Sequence, residues 1–182
     1  MAVTVARWTL DRYHRAIAAG IFDGCPVELL NGLIVDMASE GPRHSNRSAR
    51  LHAHFLFASR GRYTVRGGHP ITLPSSSSEP EPDLALVRDL DYDSEHPQPD
   101  DIFLVIEFAQ SSLAKDIKVK RLVYAIAGIQ EYWVVNLKDN CVLVYRQPRG
   151  GDYQSQEKIC VGQLAPLAFP DAAVSLEQIL GT

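Results

Sequence analysis

The segment IFLVIEFA, residues 102–109, decides the fold of this chain. It is almost entirely apolar, which is typical of a central strand that is covered on both faces of a sheet. Glu107 interrupts the apolar run, and glutamate is rarely buried without a partner. The sequence therefore predicts a central strand from Ile102 to Phe108 with an acid near the interior. The alternative is that Glu107 ends the strand and reaches solvent or an arginine.

Helices and hairpins are predicted on both sides of this strand. Thr9 can cap a helix from Leu10 to Ala19, and Asn31-Gly32 between apolar runs is typical of a two-residue hairpin turn. The other predicted elements are a helix opened by Pro42, short strands at 63–65, 70–73 and 83–87, a helix over 114–127 that stops at Gly128, a hairpin of strands 132–137 and 141–146, an edge strand at 153–160 and a closing helix at 175–180. This order predicts a single α/β domain, a mixed β-sheet flanked by helices.

Two further predictions concern how these segments pack. The helix opened by Pro42 has small and apolar side chains at helical spacing, which predicts its packed face. These residues are Ala49, His52, Ala53, Leu56 and Phe57. The serines at 75–78 predict a flexible loop, and the Asp- and Pro-rich stretch 88–101 predicts a surface loop.

Size and composition limit the class of protein. A chain of 182 residues with 46% hydrophobic and 22% charged residues fits one globular domain. No apolar run approaches the roughly 20 residues that span a bilayer, and the N-terminal segment becomes charged too early for a signal peptide. The three cysteines, Cys25, Cys141 and Cys160, form no C-x-x-C pair, so neither a zinc site nor a disulfide framework is predicted. The simplest compartment is a reducing cytoplasm.

The charge is unevenly distributed along the chain. A net charge of −4 argues against a protein that coats nucleic acid non-specifically. One stretch is nevertheless rich in arginine (Arg43, Arg47, Arg50, Arg60, Arg62 and Arg66), while residues 79–101 are acidic with a single cation, Arg88. A basic region beside an acidic one can seat a phosphate chain over a metal site. The alternative is that both regions are solvated faces.

Two acids and a lysine form the main candidate site: Asp83 in EPDLALV, Glu107, and Lys120 in DIKVKRLVYA. Mg²⁺ takes oxygen ligands, commonly including one or two carboxylates. A bound Mg²⁺ would offset the free energy that it costs to place these charged side chains against apolar strands. We therefore predict that Asp83 and Glu107 bind Mg²⁺ or Mn²⁺ and that Lys120 serves the attacking water in phosphodiester hydrolysis. The alternatives are that Asp83 caps a turn and that Lys120 forms a surface pair with Asp116.

Three secondary candidates come from other segments. Alternation along the first hairpin strand predicts that Glu28 faces outward, although it can also join the site. His44, near the start of the arginine-bearing helix, can contact phosphate or a second cation, but a lone histidine is more often structural or solvent-facing. Gln110 can offer its amide oxygen to a metal or simply begin a loop.

The helix that carries Lys120 supplies the remaining candidates. Asp116, Lys120 and Tyr124 are spaced i, i+4 and i+8, so they share one face. Lys115 lies near the strand-to-helix turn and is a rival amine. Lys118 points about 160° away from Lys120 on an α-helix and cannot serve the same site.

Several segments together resemble the Uma family, described as putative restriction endonucleases of the PD-(D/E)xK nuclease superfamily. They are VELLNGLIVDM (27–37), GPRHSN (41–46), EPDLALV (81–87), LVIEFAQSSLAKD (104–116) and KRLVYAIAGIQEYWVVNL (120–137). The resemblance implies a restriction-endonuclease-like domain over 1–182 with a core at about 27–146, and it assigns the two acids to Asp83 and Glu107. The superfamily lysine normally lies two residues after the second acid, where this chain has Ala109. In this family the lysine is thought to come from the next helix, which matches Lys120.

The function expected from these observations is a Mg²⁺- or Mn²⁺-dependent nuclease that acts on nucleic acid, with DNA favoured over RNA. A homodimer is expected for a small nuclease that cuts two strands. One alternative is a catalytically inactive module on the same fold that binds nucleic acid or protein. Another is a structural or oligomerising domain.

Overall fold

A six-stranded mixed sheet forms the centre of the protein in the computed structural model, which describes residues 5–181. The strands are β1 (Val27–Leu30), β2 (Leu33–Asp36), β3 (Thr64–Arg66), β4 (Leu84–Val87), β5 (Ile102–Ala109), β6 (Glu131–Asn136), β7 (Cys141–Arg149), β8 (Asp152–Ile159), β9 (Gln163–Leu164) and β10 (Val174–Ser175). The helices are α1 (Leu10–Ala18), α2 (Pro42–Ser59), α3 (Leu113–Lys115), α4 (Arg121–Ala127) and α5 (Leu176–Leu180). In this part of the chain no helix is long and apolar enough to cross a membrane.

The strand order is β3-β4-β5-β6-β7-β8, so the predicted strand at 102–108 lies inside the sheet. Only the β5–β6 pair is parallel, and the other neighbours are antiparallel. A parallel pair needs a crossover connection, which the helical segment from α3 to α4 provides. The crossover therefore brings this helical segment back across the sheet next to β5.

The two faces of the sheet are covered by different helices. Leu104 and Ile106 pack in a buried cluster with residues of α2 and α5. Val105 and Ala109 pack instead with residues of α4, because successive side chains of a strand point to opposite faces. From Leu104 onward, the odd-numbered residues of β5 therefore face the helical segment that carries Lys120.

Turns and caps at the predicted positions confirm several elements. Asn31 and Gly32 have φ values of 51° and 71° in the β1–β2 hairpin, as a two-residue turn with two left-handed positions requires. The Thr9 hydroxyl accepts a hydrogen bond from Arg12 N at the start of α1. Gly128 ends α4 in the left-handed conformation with φ 83°.

A π-helical turn, Asp116–Lys120, joins α3 to α4 in the predicted helix. Its backbone bonds span five residues rather than four, so it changes the direction in which the following side chains point. Such turns are rare and occur frequently at functional sites. Both ends of this turn, Asp116 and Lys120, are buried.

Three predictions are wrong: one strand, one flexible loop and the packed face of one helix. Residues 70–73 form no strand and have only a single bridge, between Leu73 and Ser78. Ser78 is fully buried and its hydroxyl accepts a hydrogen bond from Asn31 N, so the serine run is anchored rather than flexible. In α2 the buried side chains are Leu51, Phe55 and Ser59, whereas Leu56 and Phe57 are exposed. This helix has more apolar residues than the sheet can cover, so the spacing of apolar residues alone predicts the wrong buried face.

The cysteines also differ from the prediction. Cys141 and Cys160 form a disulfide, with Cα atoms 4.2 Å apart. They stand next to the Val142–Ile159 pair of the β7–β8 ladder, so strand pairing brings them together although the sequence separates them by 19 positions. Cys25 is free and exposed. A sequence search for close cysteine spacing could not find this pair.

Candidate active site

Strand register places the two candidate acids side by side. Leu84 of β4 pairs with Ile106 of β5, and extending this antiparallel register by one residue sets Asp83 next to Glu107. Residues directly opposite in such a pair share a face, with Cβ atoms about 5 Å apart. Both carboxylates line one cleft of about 270 Å³ at the end of β4 and β5.

Asp83 is held through one of its oxygens. Its Oδ2 accepts hydrogen bonds from Phe108 N at 2.5 Å and from His44 Nε2 at 3.0 Å. Within residues 5–181 no hydrogen bond reaches its other oxygen, Oδ1. The carboxylate is therefore oriented by the protein while half of its acceptor capacity remains for another group.

Glu107 has the same arrangement in a more buried position. Its Oε1 accepts hydrogen bonds from Lys120 Nζ and from the Tyr124 hydroxyl, both at 2.8 Å. No donor among the described residues bonds to Oε2. Burial, which the Lys120 ammonium offsets only in part, raises the pKa of Glu107 to about 8, with the nearby Asp83 adding to the effect. A carboxylate in this setting favours an added cation, because a cation would compensate the charge that burial penalises.

Lys120 lies between two carboxylates. Its Nζ lies 2.8 Å from Glu107 Oε1 and 3.0 Å from Glu28 Oε2, and its side chain is 5% exposed. Burial would lower the pKa of Lys120, but the carboxylates of Glu107 and Glu28 outweigh it and raise that pKa above its ordinary value. Lys120 is therefore an ammonium at neutral pH and cannot act as a general base. Lys120 and Tyr124 both reach Glu107, as expected for two residues that are four positions apart on one helix face.

Glu28 does not face outward as alternation predicts. It is 1% exposed, and its Oε1 lies 2.8 Å from Lys115 Nζ while its Oε2 faces Lys120. Burial raises the pKa of Glu28, but the two lysines outweigh this and lower it below the ordinary value. Glu28 faces inward because the β1–β2 hairpin is not part of the main sheet and lays this side chain against the helical crossover. Lys118 is exposed and does not line the cleft, in agreement with the prediction that it cannot serve the same site as Lys120.

His44 lies between Asp83 and a residue that the sequence did not indicate, Glu40. Its Nδ1 lies 3.4 Å from Glu40 Oε2, on the side opposite Asp83. Burial lowers the pKa of His44, but the hydrogen bond to Asp83 and the charge of Glu40 outweigh it, so the net change is upward. Ligand atoms of Glu40, His44 and Asp83 lie within 4.8 Å of one another, close enough to share a cation. Only the i, i+4 spacing of Glu40 and His44 could have suggested this contact.

The remaining candidates lie at the rim. Gln110 lines the cleft, and the structure gives it no hydrogen bond to Asp83 or Glu107. Asp116 is buried and accepts a hydrogen bond from the Ser112 hydroxyl at 2.7 Å; burial is the main cause of its raised pKa. Asp116 therefore pairs with Ser112, and the alternative of a surface pair between Asp116 and Lys120 is not observed.

The donor set of the cleft fits a hard divalent cation. The free oxygens of Asp83 and Glu107 belong to adjacent residues on one face, and carboxylate oxygens are the ligands that Mg²⁺ and Mn²⁺ prefer. The cleft is polar on this side and wide enough to leave room for water around a cation.

Known proteins with similar sequence or structure support the fold. The sequence matches the model of the Uma2 family, described as a putative restriction endonuclease, over residues 10–177. No significant match is found among proteins with curated descriptions. A putative nuclease of DUF820 from Anabaena variabilis ATCC 29413 shares 16% identity and a TM-score of 0.75, over 95% of this chain and 97% of that chain. This likeness confirms the predicted fold class, a mixed α/β domain. Because the family model spans most of the sequence, the chain belongs to the Uma2 family.

Proposed function

We propose that the protein is a Mg²⁺- or Mn²⁺-dependent nuclease that hydrolyses phosphodiester bonds in nucleic acid, with DNA as the first substrate to test. The observation that supports this most is the pair Asp83 and Glu107. Each of these acids lines the same cleft and is fixed through one oxygen, and its second oxygen accepts no hydrogen bond from the described residues. Family membership points the same way.

The residues have distinct roles in this proposal. Asp83 and Glu107 would hold the cation, which neutralises charge on the scissile phosphate and lowers the pKa of a water molecule. Lys120 orients Glu107 by donating to Oε1, and its ammonium stabilises negative charge that develops on the phosphate. Tyr124 donates to the same oxygen and fixes the carboxylate from a second direction.

Glu28 and His44 position these groups. Glu28 pairs with Lys120 and Lys115, so it holds both amines at the floor of the cleft. His44 donates to Asp83 Oδ2, so it orients this carboxylate and leaves Oδ1 available for a cation. Such supporting contacts fix ligand orientation in metal sites.

A binding module that lacks catalysis is the second candidate, and one contact favours it. Lys120 already pairs with Glu107 at 2.8 Å, and this ammonium competes with any cation for the same carboxylate. In this alternative the protein binds nucleic acid or protein without metal dependence. The predicted homodimer and the cytoplasmic location stay predictions.

Cleavage of supercoiled plasmid and of single-stranded DNA in the presence of Mn²⁺ tests the nuclease proposal. Asp83→Asn and Glu107→Gln should each lower the rate at least a hundredfold, because each removes one of the two charged ligands. The matched control is Asp100→Asn, an exposed acid about 20 Å along the sheet from Glu107, which should leave the rate unchanged.

A thermal shift separates loss of metal from loss of fold. Mn²⁺ should raise the Tm of the wild type and of Asp100→Asn, since a ligand that binds the folded state at a hundred times its Kd stabilises it by about 2.7 kcal/mol. The two site variants should show no such shift. Equal cutting by wild type and variants would identify a contaminating nuclease, and metal-independent DNA binding without cutting would favour the binding module.

A further inference from the structure

The exposed face of α2 points to a binding surface for single-stranded nucleic acid. We infer that a single strand lies along this helix, with phosphates on Arg50 and a base stacked on Phe57, and continues into the cleft. This inference rests on the proposed function, because it names the path by which the substrate would reach Asp83 and Glu107.

The helix geometry aligns the residues of this surface. Arg43, Arg50 and Phe57 are seven positions apart, so they form one line along the helix and span about 21 Å. The buried residues Leu51, Phe55 and Ser59 are on the opposite side. The line therefore faces solvent along the full length of α2.

The charge of this helix suits a polyanion. α2 contains three arginines and no aspartate or glutamate, although the chain as a whole has a net charge of −4. Arg50 is exposed and forms no ion pair with any residue of the described chain. An arginine without a protein partner can contact phosphate without first breaking an ion pair.

The exposure of Phe57 is a second observation that supports the binding of a single strand. Its side chain is 90% exposed, the highest value among the exposed large apolar residues of 5–181. An exposed aromatic ring beside basic side chains is the arrangement that stacks bases of single strands. In a duplex the bases are already stacked on one another, so Phe57 favours a single strand.

The surface is continuous with the cleft. Gly41 and His44 line the cleft, and Arg43 lies between them in the first turn of α2. The Arg43 guanidinium is held by Leu137 O and Asn140 Oδ1, both at 2.7 Å, which uses two of its five donors. Arg43 is thus fixed where a strand would pass from α2 to the acids.

Fluorescence anisotropy with a labelled 20-nucleotide single strand tests this surface. The full-length protein is titrated in EDTA, so that cutting cannot contribute. Phe57→Ala should weaken binding about tenfold, as expected for the loss of one stacked base. Arg50→Gln should weaken binding severalfold at low salt and reduce the slope of log K against log[salt] by about 0.7.

Two controls match these changes in chemistry. Leu56→Ala removes an exposed apolar side chain from the same helix, about 100° away from Phe57, and Arg12→Gln removes an exposed arginine from α1. Both should bind as the wild type does. Asp83→Asn should also bind while failing to cut, which separates this inference from the proposed function.

Several outcomes would overturn the inference. Wild-type binding weaker than about 100 μM, or equal binding by Phe57→Ala, Arg50→Gln and the controls, would do so even if the protein cuts DNA. Tighter binding of a duplex of the same sequence would show that the surface takes double strands instead. If sedimentation shows that Phe57→Ala dissociates a dimer without changing DNA affinity, the occupant is a second copy of the chain.

Discussion

Lys120 Nζ lies 2.8 Å from Glu107 Oε1, although the lysine comes from the helical crossover and the acid from the central strand. Residues 107 and 109 share a face of β5, so a lysine two positions after the acid would project into the space that Lys120 occupies. This chain has Ala109 there, packed among residues of α4. The small side chain leaves room for an amine that arrives from the helix.

Replacement of Lys120 should destabilise the protein strongly. Lys120→Met leaves the buried Glu28 carboxylate with only one cationic partner and removes one of the two donors to Glu107 Oε1. Breaking a buried pair in this way costs about 3–5 kcal/mol. Urea denaturation at pH 7 measures the free energy of unfolding. Lys118→Met, which changes an exposed lysine of the same segment, should cost less than about 0.5 kcal/mol. A loss below about 1 kcal/mol for Lys120→Met would mean that the pair is not formed in solution.

The raised pKa of Glu107 predicts a pH dependence of stability. Burial raises the pKa of its carboxyl to about 8 in the folded protein, from the ordinary value of 4.5. Between these values the folded state holds a proton that the unfolded state has lost, so the contribution of Glu107 to stability falls as pH rises. The slope is about 1.4 kcal/mol per pH unit at most, and it levels off above the folded pKa.

Glu107→Gln isolates this contribution, because glutamine does not titrate. The free energy of unfolding of the wild type minus that of the variant should decrease from pH 5 to pH 8 in metal-free buffer. Glu28, whose pKa is lowered, is present in both proteins and largely cancels in the difference. A difference that stays constant, or increases with pH, would show that Glu107 remains ionised in the folded state.

The sequence predicts the sheet well because local patterns encode it. The apolar run of β5, the Asn31-Gly32 turn and the stop at Gly128 each have a short-range physical cause, and the structure has all three. The prediction that Asp83 and Glu107 share a cation goes beyond such patterns, because it depends on β4 pairing with β5 in one register. The other three features depend only on neighbouring residues.

Features that depend on where separate elements dock could not be predicted. Glu28 is buried only because the β1–β2 hairpin lies against the crossover, and His44 reaches Asp83 only because α2 begins beside that acid. The π-helical turn Asp116–Lys120 could not be predicted from the spacing of polar and apolar residues in the sequence. Phe57 looks like a core residue by composition, and only the docked helix shows that it is exposed.

Glu131 shows that a buried strand glutamate can be purely structural. It is fully buried, and its carboxylate accepts bonds from Arg146, from Trp133 Nε1 at 2.9 Å and from Leu167 N at 2.6 Å. Glu131→Gln should cost about 2–4 kcal/mol in urea denaturation, because several donors lose a charged acceptor. The Mn²⁺-induced rise in Tm should remain. If that rise disappears in a folded Glu131→Gln protein, Glu131 is coupled to the cleft and is not purely structural. Glu157→Gln, an exposed acid of β8, is the control and should change neither quantity.

The disulfide between Cys141 and Cys160 predicts one reactive thiol in the oxidised protein. Thiol titration in denaturant without reductant should detect only Cys25, and prior reduction should give three thiols.

Cys160→Ser should lower the free energy of unfolding by about 3 kcal/mol, because the bond closes a loop of roughly twenty residues and restricts the unfolded chain. Cys25→Ser, the control, should abolish the thiol signal of the oxidised protein without changing its stability. Such bonds are rare in a reducing cytosol, so lysis in alkylating agent would test the predicted compartment as well. Three alkylated cysteines in that lysate, with full stability of Cys160→Ser, would show that the fold holds these strands together without the bond.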